Sequence, residues 1–520
     1  MNYWSEVPLD DWRDWARDGD AHLPYKAYVR KLVNTAFQCP TFTGKGIVIP
    51  AGGPLLTGAW VAIQRLRQLG CALPIEVWHI GADEMPAFWQ ELFTNAGITL
   101  VDVLPLTHKH GMGSPSGWQL KPLAIIFCSF HEVLLIDADN VPAKDPTFLF
   151  DAPEYKETGA VFWPDRERHS PDSALWEVYD AEYRDEPQHE TGQILINKER
   201  CWHALQIAMH ANQHSDFHYK HSHGDTATFR FALHALKQPF TVIPHRLLEV
   251  PVGRKVESVD ELKNTPYLRE KEDLHATFLQ RDFNGDVIFQ HRCASKFNMR
   301  HNVDVQHFIG HQECADIIQG VWSQLGKRPF HEQMRITCWD LLSPRRRGEM
   351  LKLFEIIETM RAGTIVETGA IRQRDNWHFD AYFSWFLAMY ARHYHAQLTV
   401  IDIDPQAIAL DEEIAGSANR ICGDSVSVLK DFTQPIDVLL LDSLDYSASM
   451  VEQSQTHALN EVKAALPHLH DKSIIAIDDC GLGDKGGKGG LAVPYLLERG
   501  WTTVVRGYMV ILAKKQNGAG

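Results

Sequence analysis

The stretch His131-Glu-Val-Leu-Leu-Ile-Asp137-Ala-Asp139-Asn140 decides how this chain is read. Val133 to Ile136 is a short apolar run bounded by polar residues, the pattern of a buried strand. Two carboxylates follow at i and i+2, and an extended backbone turns both to the same side. In open α/β sheets, ligands bind beyond the carboxyl ends of the strands. Two like charges held together are costly unless a cation neutralises them. Hard oxygen ligands suit Mg2+ or Mn2+, either of which can bridge to a diphosphate. A surface turn after a strand is also rich in Asp and Asn, and the local pattern leaves both readings open.

Working outward, Gly46-Ile-Val-Ile-Pro50 reads as a buried strand, Gly52-Gly53-Pro54 as a turn, and Trp60 to Leu69 as a helix. Ile75 to Ile80 and Ile98 to Val103 are strands separated by a helix over Met85 to Asn95. A helix over Lys121 to Phe130 precedes the central strand, and Gly159 to Trp163 adds another strand. This alternation predicts a parallel, doubly wound sheet. From Met299 to Arg347 apolar periodicity is weak until Cys338-Trp-Asp-Leu-Leu342. Ser343-Pro344 then reads as an N-cap with Pro at the first helical position, opening a helix through Met360. A second α/β pattern follows, with strands at Thr364 to Glu367, Leu398 to Ile403, Val438 to Leu441, Ser473 to Ile477 and Met509 to Ala513. The expected fold class is α/β with two doubly wound domains. The expected divisions are a helical lead (1–43), a first α/β domain (44–300), a linker with helical elements (301–350) and a second α/β domain (351–515).

Composition narrows the function. With 51 Lys plus Arg against 67 Asp plus Glu, the net charge of −16 argues against nucleic acid as the main partner. The 9 cysteines form no CxxC pair, so neither a disulfide scaffold nor a zinc ribbon is indicated. The N-terminus Met-Asn-Tyr-Trp-Ser-Glu-Val-Pro lacks a cationic lead into an apolar core, so no signal peptide is expected. No apolar run reaches the ~18 residues of a membrane span. These features predict a cytoplasmic enzyme.

Further segments surround the acidic pair in a definite order: Gly46-Ile-Val-Ile-Pro-Ala-Gly-Gly53, Leu73-Pro-Ile-Glu-Val-Trp-His79, Lys121-Pro-Leu-Ala, Phe162-Trp-Pro-Asp165, Glu190-Thr-Gly-Gln193 and Gly224-Asp225-Thr226. The series resembles the GT-A glycosyltransferases of the fungal-type α-mannosyltransferase group and, more distantly, the glycogenin-like group. The resemblance covers roughly residues 44 to 300. It implies a GDP- or UDP-sugar donor, a metal site at Asp137 and Asp139, and donor contacts from Gly52, Gly53, Lys121 and Asp137. In the glycogenin-like relatives a late His completes the metal shell and a Lys contacts the diphosphate. His291 and Lys296 are the matching candidates, with one residue fewer between them. Glu190, Gln193 and Asp225 would line the sugar and acceptor pocket. An inverting reaction needs a base, for which Asp225 is the first choice; in a retaining one Gln193 flanks the reaction centre. Glu190 and Thr191 also fit a cap on a turn before the strand Ile194-Leu-Ile196. The His218, His221 and His223 run lacks HExxH spacing and reads, like His108 and His110, as a polar loop facing the acceptor.

In the second pattern, Thr364-Ile-Val-Glu367-Thr-Gly369 is a strand running into a tight turn. Leu398-Thr-Val-Ile-Asp402-Ile-Asp404 ends in carboxylates, where an acidic residue commonly holds ribose hydroxyls. Ile421-Cys-Gly-Asp424-Ser425 and Ile436-Asp-Val-Leu-Leu-Leu-Asp442 follow. That order looks like a class I S-adenosylmethionine-dependent methyltransferase over about residues 361 to 515. A dehydrogenase would prefer GxGxxG, which is lacking. Glu367-Thr-Gly369, Asn376-Trp377, Gly423-Asp424-Ser425 and Asp478-Asp479 resemble the small-molecule O-methyltransferases. The resemblance implies cofactor contacts from Glu367, Gly369, Asp402, Asp404, Asp424 and Ser425. It also implies a Mg2+ site at Asp442, Asp478 and Asp479, with Asp442 in the catalytic set. Asp478 and Asp479 equally fit caps on the loop that follows. Three departures stand out: no second Gly near 371, His378-Phe-Asp380-Ala381 in place of a GDG segment, and Leu444 where some relatives carry a carboxylate, with Asp445 adjacent. Gly481-Leu-Gly-Asp-Lys-Gly-Gly-Lys-Gly-Gly490 fails the phosphate-loop pattern and reads as a mobile loop over the methyl acceptor or as a plain linker.

Two sites on one chain predict successive reactions on one glycan or glycolipid acceptor, a sugar added and a hydroxyl methylated, near a membrane surface but without a span. The alternatives are a glycosyltransferase carrying an inactive methyltransferase-like module, and a nucleotide-sugar hydrolase or binding protein.

Overall fold

Short apolar runs separated by amphipathic helices leave the central strands buried on both faces, and two large sheets built this way organise the chain. The computed structural model describes residues 22–251, 259–263, 276–293, 296–299, 309–373, 382–483 and 486–514. It divides into two compact units, Met1–Ser323 and Gln324–Gly520. The division falls within the stretch expected to connect the domains.

In the first unit the strands are β1 (Lys45–Pro50), β2 (Ile75–His79), β3 (Thr99–Asp102), β4 (Glu132–Ile136), β5 (Asn140–Pro142), β6 (Ala160–Arg168), β7 (Pro187–Asn197), β8 (Thr241–Val242), β9 (Leu248–Pro251), β10 (Ala276–Arg281) and β11 (Val287–His291). The main sheet has the order β3-β2-β1-β4-β7-β6-β8. β1 pairs in parallel with both β2 and β4. The all-parallel expectation fails at β7, which runs antiparallel to β4 and β6. A second sheet, β5-β11-β10-β9, is wholly antiparallel and was not anticipated. Its strands lie far apart in sequence and two of them are only three or four residues long, so no local periodicity announces them. The strand order reverses at β1 and β4, which opens a crevice beyond their carboxyl ends. Asp137 is the first residue past β4.

The second unit contains β12 (Thr364–Thr368), β13 (Gln397–Asp402), β14 (Asn419–Cys422), β15 (Ile436–Leu441), β16 (Leu469–Ile477), β17 (Trp501–Arg506) and β18 (Val510–Lys514). Their order is β14-β13-β12-β15-β16-β18-β17, with β18 antiparallel to both neighbours. Alternate residues face opposite layers. Val438 and Leu440 join one apolar cluster, whereas Leu439 and Leu441 join the other. Helices therefore cover both faces, which is why these strands read as unbroken apolar runs. Here the order reverses between β12 and β15, bringing Gly369 beside Asp442. The helix Pro344–Met360 begins after Ser343 as expected, although the Ser343 side chain makes no capping bond.

Several histidines lie deep in the first unit. His218, expected on an acceptor-facing loop, is instead buried, and its Nε2 lies 2.8 Å from the Tyr179 hydroxyl. His189 on β7 stacks on Phe162 at 4.2 Å, and among the described residues neither of its ring nitrogens has a hydrogen-bond partner. Burial, reinforced by nearby cationic groups, holds the His189 ring well below its ordinary titration range. The unfolded chain takes up a proton near the ordinary histidine value while the folded chain does not. Stability at this position is therefore complete above about pH 6.5 and falls as pH drops, by about 1.4 kcal/mol per unit. His189→Leu should shrink the drop in melting temperature between pH 7.5 and pH 5.5. An unchanged drop in calorimetry would contradict this.

Candidate functional site

The first site lies where β4, β7 and β11 meet. The backbone N–H of Asp137 donates to the Gly192 carbonyl at 2.8 Å, tying the acidic turn to β7. β11 pairs with β5 and places His291 opposite Asn140. His291 Nε2 then lies 3.3 Å from Asp139 Oδ1 and 3.9 Å from Asp137 Oδ2, and Nδ1 lies 2.9 Å from Glu190 Oε1. Burial alone would lower the pKa of His291; Glu190 and the other anionic neighbours overcome that and push it up to about 10. Gly192 makes the approach possible, since a Cβ there would lie 2.5 Å from His291 Nδ1.

Lys121 comes from the helix Leu120–Phe127 and is buried. Its ammonium lies 2.8 Å from Asp137 Oδ2 and 3.6 Å from Asp225 Oδ1, and it donates to the Thr191 carbonyl at 3.1 Å. Burial pushes the Asp225 carboxyl up to about 6, with Lys121 opposing and Asp137 adding to the rise. Lys296 pairs with Asp139, and its side chain is 48% exposed. A cavity of about 850 Å3 is lined by Gly52, Lys121, Asp137, Asp139, Glu190, Asp225, His291 and Lys296, among others. The expected donor and acceptor residues are thus gathered around one space, with two exceptions.

Gln193 is fully buried and does not line that cavity. Its amide donates to Glu190 Oε2 at 2.8 Å and accepts from Asn140 Nδ2 at 2.5 Å, so it braces the site from behind. Gly53 also stands outside the lining, as a turn residue with φ +54°. Glu190 and Thr191 lie inside β7 and do not cap a turn before it. His223 does reach the cavity wall, with its ring 5.1 Å from that of Trp118.

An ion fits this first site. One ligand atom each from Asp137, Asp139 and His291 lies within 4.8 Å of the others. Two carboxylates and an imidazole suit a divalent cation such as Mn2+. Half-exposed Lys296 can leave Asp139 without disturbing the core.

The second site sits at the reversal between β12 and β15. Gly369 has φ +100°, and its N–H donates to the Ile401 carbonyl at 2.8 Å. Asp402 accepts from the backbone N–H of Ala370 and of Asp404, each at 2.8 Å, which locks the turn. Asp404, expected to touch the cofactor, is an N-cap whose carboxylate accepts from Gln406 N at 2.8 Å. Asp424 likewise caps the helix Ser425–Lys430. The Ser425 hydroxyl lies 3.1 Å from His457 Nε2, and buried Glu461 accepts from Ser443 at 2.8 Å. Glu367 is buried at the carboxyl end of β12. Asn376-Trp377 and His378 to Ala381 lie outside the described residues.

One carboxylate oxygen each from Asp442, Asp478 and Asp479 also lies within 4.8 Å of the others, a spacing able to hold an ion. Here the fit is poorer, because cationic side chains already bridge the group. Lys488 Nζ is 2.9 Å from Asp442 Oδ1 and 3.5 Å from Asp479 Oδ2, and Arg346 Nη1 is 2.6 Å from Asp478 Oδ2. Burial and the charge of Asp442 raise the Asp478 pKa to about 8. Sequence reasoning missed both cations. Lys488 hides in a run of glycines, and Arg346 belongs to a helix outside the sheet. Gly487–Gly490 forms a short turn with Gly487, Lys488 and Gly489 buried, whereas Asp484 and Lys485 of the expected loop lie outside the described residues.

The comparisons with known proteins fall along the same division. Residues 44–176 and 178–263 match the family described as "Mannosyltransferase putative". Residues 381–480 match a methyltransferase domain family. The Saccharomyces cerevisiae α-1,2-mannosyltransferase MNN2 is 34% identical over 145 residues, covering 27% of this chain and 24% of that protein. MNN2 of Candida albicans is 23% identical over 302 residues, covering 48% and 50%. The chain thus spans between a quarter and a half of the length of these relatives. Among solved structures, an active-site mutant of LgtC aligns with 53% of this chain and 96% of its own, at 13% identity and a TM-score of 0.35. The MycE methyltransferase with Mg, SAH and mycinamycin VI aligns with 41% of this chain and 62% of its own, at 15% identity and a TM-score of 0.28. The matches thus divide the chain into an N-terminal part similar to the mannosyltransferase family and a C-terminal part similar to methyltransferase domains, each built on its own α/β sheet.

Proposed function

We propose that the N-terminal unit transfers a sugar, mannose by likeness to its relatives, from a nucleotide sugar to a glycan acceptor, and that the C-terminal unit methylates a sugar hydroxyl with S-adenosylmethionine. The observation that carries the first half is the convergence of Asp137, Asp139, His291 and Lys121 on one cavity at the crossover of the sheet. Asp137, Asp139 and His291 would hold a divalent ion, which supplies neutralising charge to the departing diphosphate. Lys121 adds a fixed ammonium on the same side. Glu190 holds the His291 ring in register through Nδ1, and the Gln193–Asn140 pair keeps Glu190 in place. In the reaction, the bond from the anomeric carbon to the diphosphate breaks and a bond to the acceptor oxygen forms. The acceptor proton leaves to Asp225, if the enzyme inverts, or to the departing phosphate, if it retains.

In the C-terminal unit, the methyl group passes from sulfonium to the acceptor oxygen. The sulfur keeps the bonding pair, and the hydroxyl proton leaves to the carboxylate group around Asp442 and Asp478. The Gly369 turn and Asp402 would hold the nucleoside. Asp402→Ala removes the acceptor of the Ala370 N–H and should weaken S-adenosylhomocysteine binding by about 10- to 100-fold. Calorimetry giving wild-type affinity would contradict that placement.

The full chain, incubated with GDP-mannose, Mn2+ and a mannoside acceptor, should add one hexose. With labelled S-adenosylmethionine, the product should then gain one methyl group. If the donor is only hydrolysed whatever acceptor is offered, the transferase reading of the first site falls.

A further inference from the structure

The glycine-rich run after Asp479 fails as a phosphate loop, yet it ends in a side chain with an unusual position. Lys488 is only 1% exposed. Its ammonium bridges Asp442 and Asp479 at 2.9 and 3.5 Å, in the midst of the three carboxylates that would otherwise ligate an ion. The backbone around it is pinned. The Lys488 N–H donates to the Asp479 carbonyl at 3.2 Å, and Gln455 Nε2 donates to the Gly487 carbonyl at 2.9 Å. Gly487 has φ +54°, and a Cβ there would lie 1.8 Å from the Asp479 carbonyl oxygen. Lys488 cannot swing aside, as half-exposed Lys296 can at the first site, without unpacking this turn.

Two further carboxylate oxygens are also engaged, Asp478 Oδ2 and Asp479 Oδ1, whereas Asp478 Oδ1 is buried without a hydrogen-bond partner. Arg346 binds Asp478 at 2.6 Å and lies over the Tyr508 ring at 4.6 Å, and the Tyr508 hydroxyl donates to Asp479 Oδ1 at 2.5 Å. Three carboxylates thus meet two fixed cations and a phenolic donor. A divalent ion added here would sit against an ammonium that has no exit, and would have to strip Tyr508 and Arg346 from their partners.

We infer that Lys488 is the resident cation of the methyltransferase centre, that its ammonium closes the Asp442, Asp478 and Asp479 group to divalent ions, and that of the two acidic centres among the described residues only the one at Asp137 and Asp139 takes such an ion. This rests on the methyltransferase reading above, and its test is independent of methyl transfer. Mn2+ binding to the full chain is counted by electron paramagnetic resonance and calorimetry, with S-adenosylhomocysteine binding measured alongside. The wild type should bind one Mn2+. The variant Asp137→Asn/Asp139→Asn should bind none below millimolar concentration, and adding Lys488→Met should create a site at least 100-fold tighter. The inference is overturned if the first variant keeps a tight Mn2+ that Asp442→Asn removes. It is equally overturned if the Lys488→Met variant gains no ion while still binding S-adenosylhomocysteine. A wild type that binds no Mn2+ at all sinks the metal site of the first unit, and leaves the Lys488→Met comparison to decide this one.

Discussion

Replacing Asp137 by asparagine should cut sugar transfer by roughly 10^3-fold, the loss expected when several kcal/mol of charge stabilisation leaves a phosphate-displacing centre. The substitution keeps the side chain's shape and removes its charge. The backbone bond from residue 137 to Gly192 does not use the side chain, so the acidic turn should stay in place. Lys121 loses its partner at 2.8 Å but keeps Asp225 and the Thr191 carbonyl. Mn2+ affinity should fall together with the rate, and S-adenosylhomocysteine affinity should not change. Transfer and Mn2+ binding both at wild-type level would remove the acidic pair from the mechanism.

The second large effect is expected at Gly369. A Cβ at this position would lie 2.2 Å from the Asp442 carbonyl oxygen, and φ is +100°, so alanine meets both a backbone clash and a disfavoured conformation. Neither β12 nor β15 can move aside, because each is paired on both edges. Gly369→Ala should cost about 3 kcal/mol or more of stability. Binding of S-adenosylhomocysteine should fall below detection in calorimetry. Gly348 provides the control, since it is an exposed helical glycine with nothing within 4 Å of an added Cβ. Gly348→Ala should leave binding unchanged and raise stability by about 0.5–1 kcal/mol. Equal behaviour of the two variants would show that the turn does not shape the cofactor site.

What the sequence disclosed follows from how local each signal is. Buried parallel strands announce themselves as apolar runs, so β1, β4, β12 and β15 and the carboxylates behind them could be placed directly. Asp137 and Asp139 needed only one strand to be recognised. The antiparallel turn of β7 was hidden, because it depends on which partner the strand finds. Gln193 was misplaced for a related reason. Its position near the acidic pair was correct, but the direction of its amide is set by Asn140 and Glu190. Asp404 looked like Asp402 by letter and position; the Pro that follows makes it a cap. Lys488 and Arg346 carried no signal of their own, since a lysine among glycines and an arginine among arginines ordinarily point to solvent.

The ion pair between Glu190 and His291 spans the two sheets of the first unit. His291 belongs to β11, inside the small antiparallel sheet, whereas Asp137 directly follows β4 of the large one. A nascent chain that has folded only its main sheet would hold two of the three proposed ligands and should bind an ion weakly. If the site holds an ion as proposed, high affinity would be gained when the small sheet docks, and ion capture would mark the completion of this unit during folding. Damage that loosens β10 or β11, which lend Phe278 and His291 to the cavity wall, would on the proposed reading be felt first as a leaking ion.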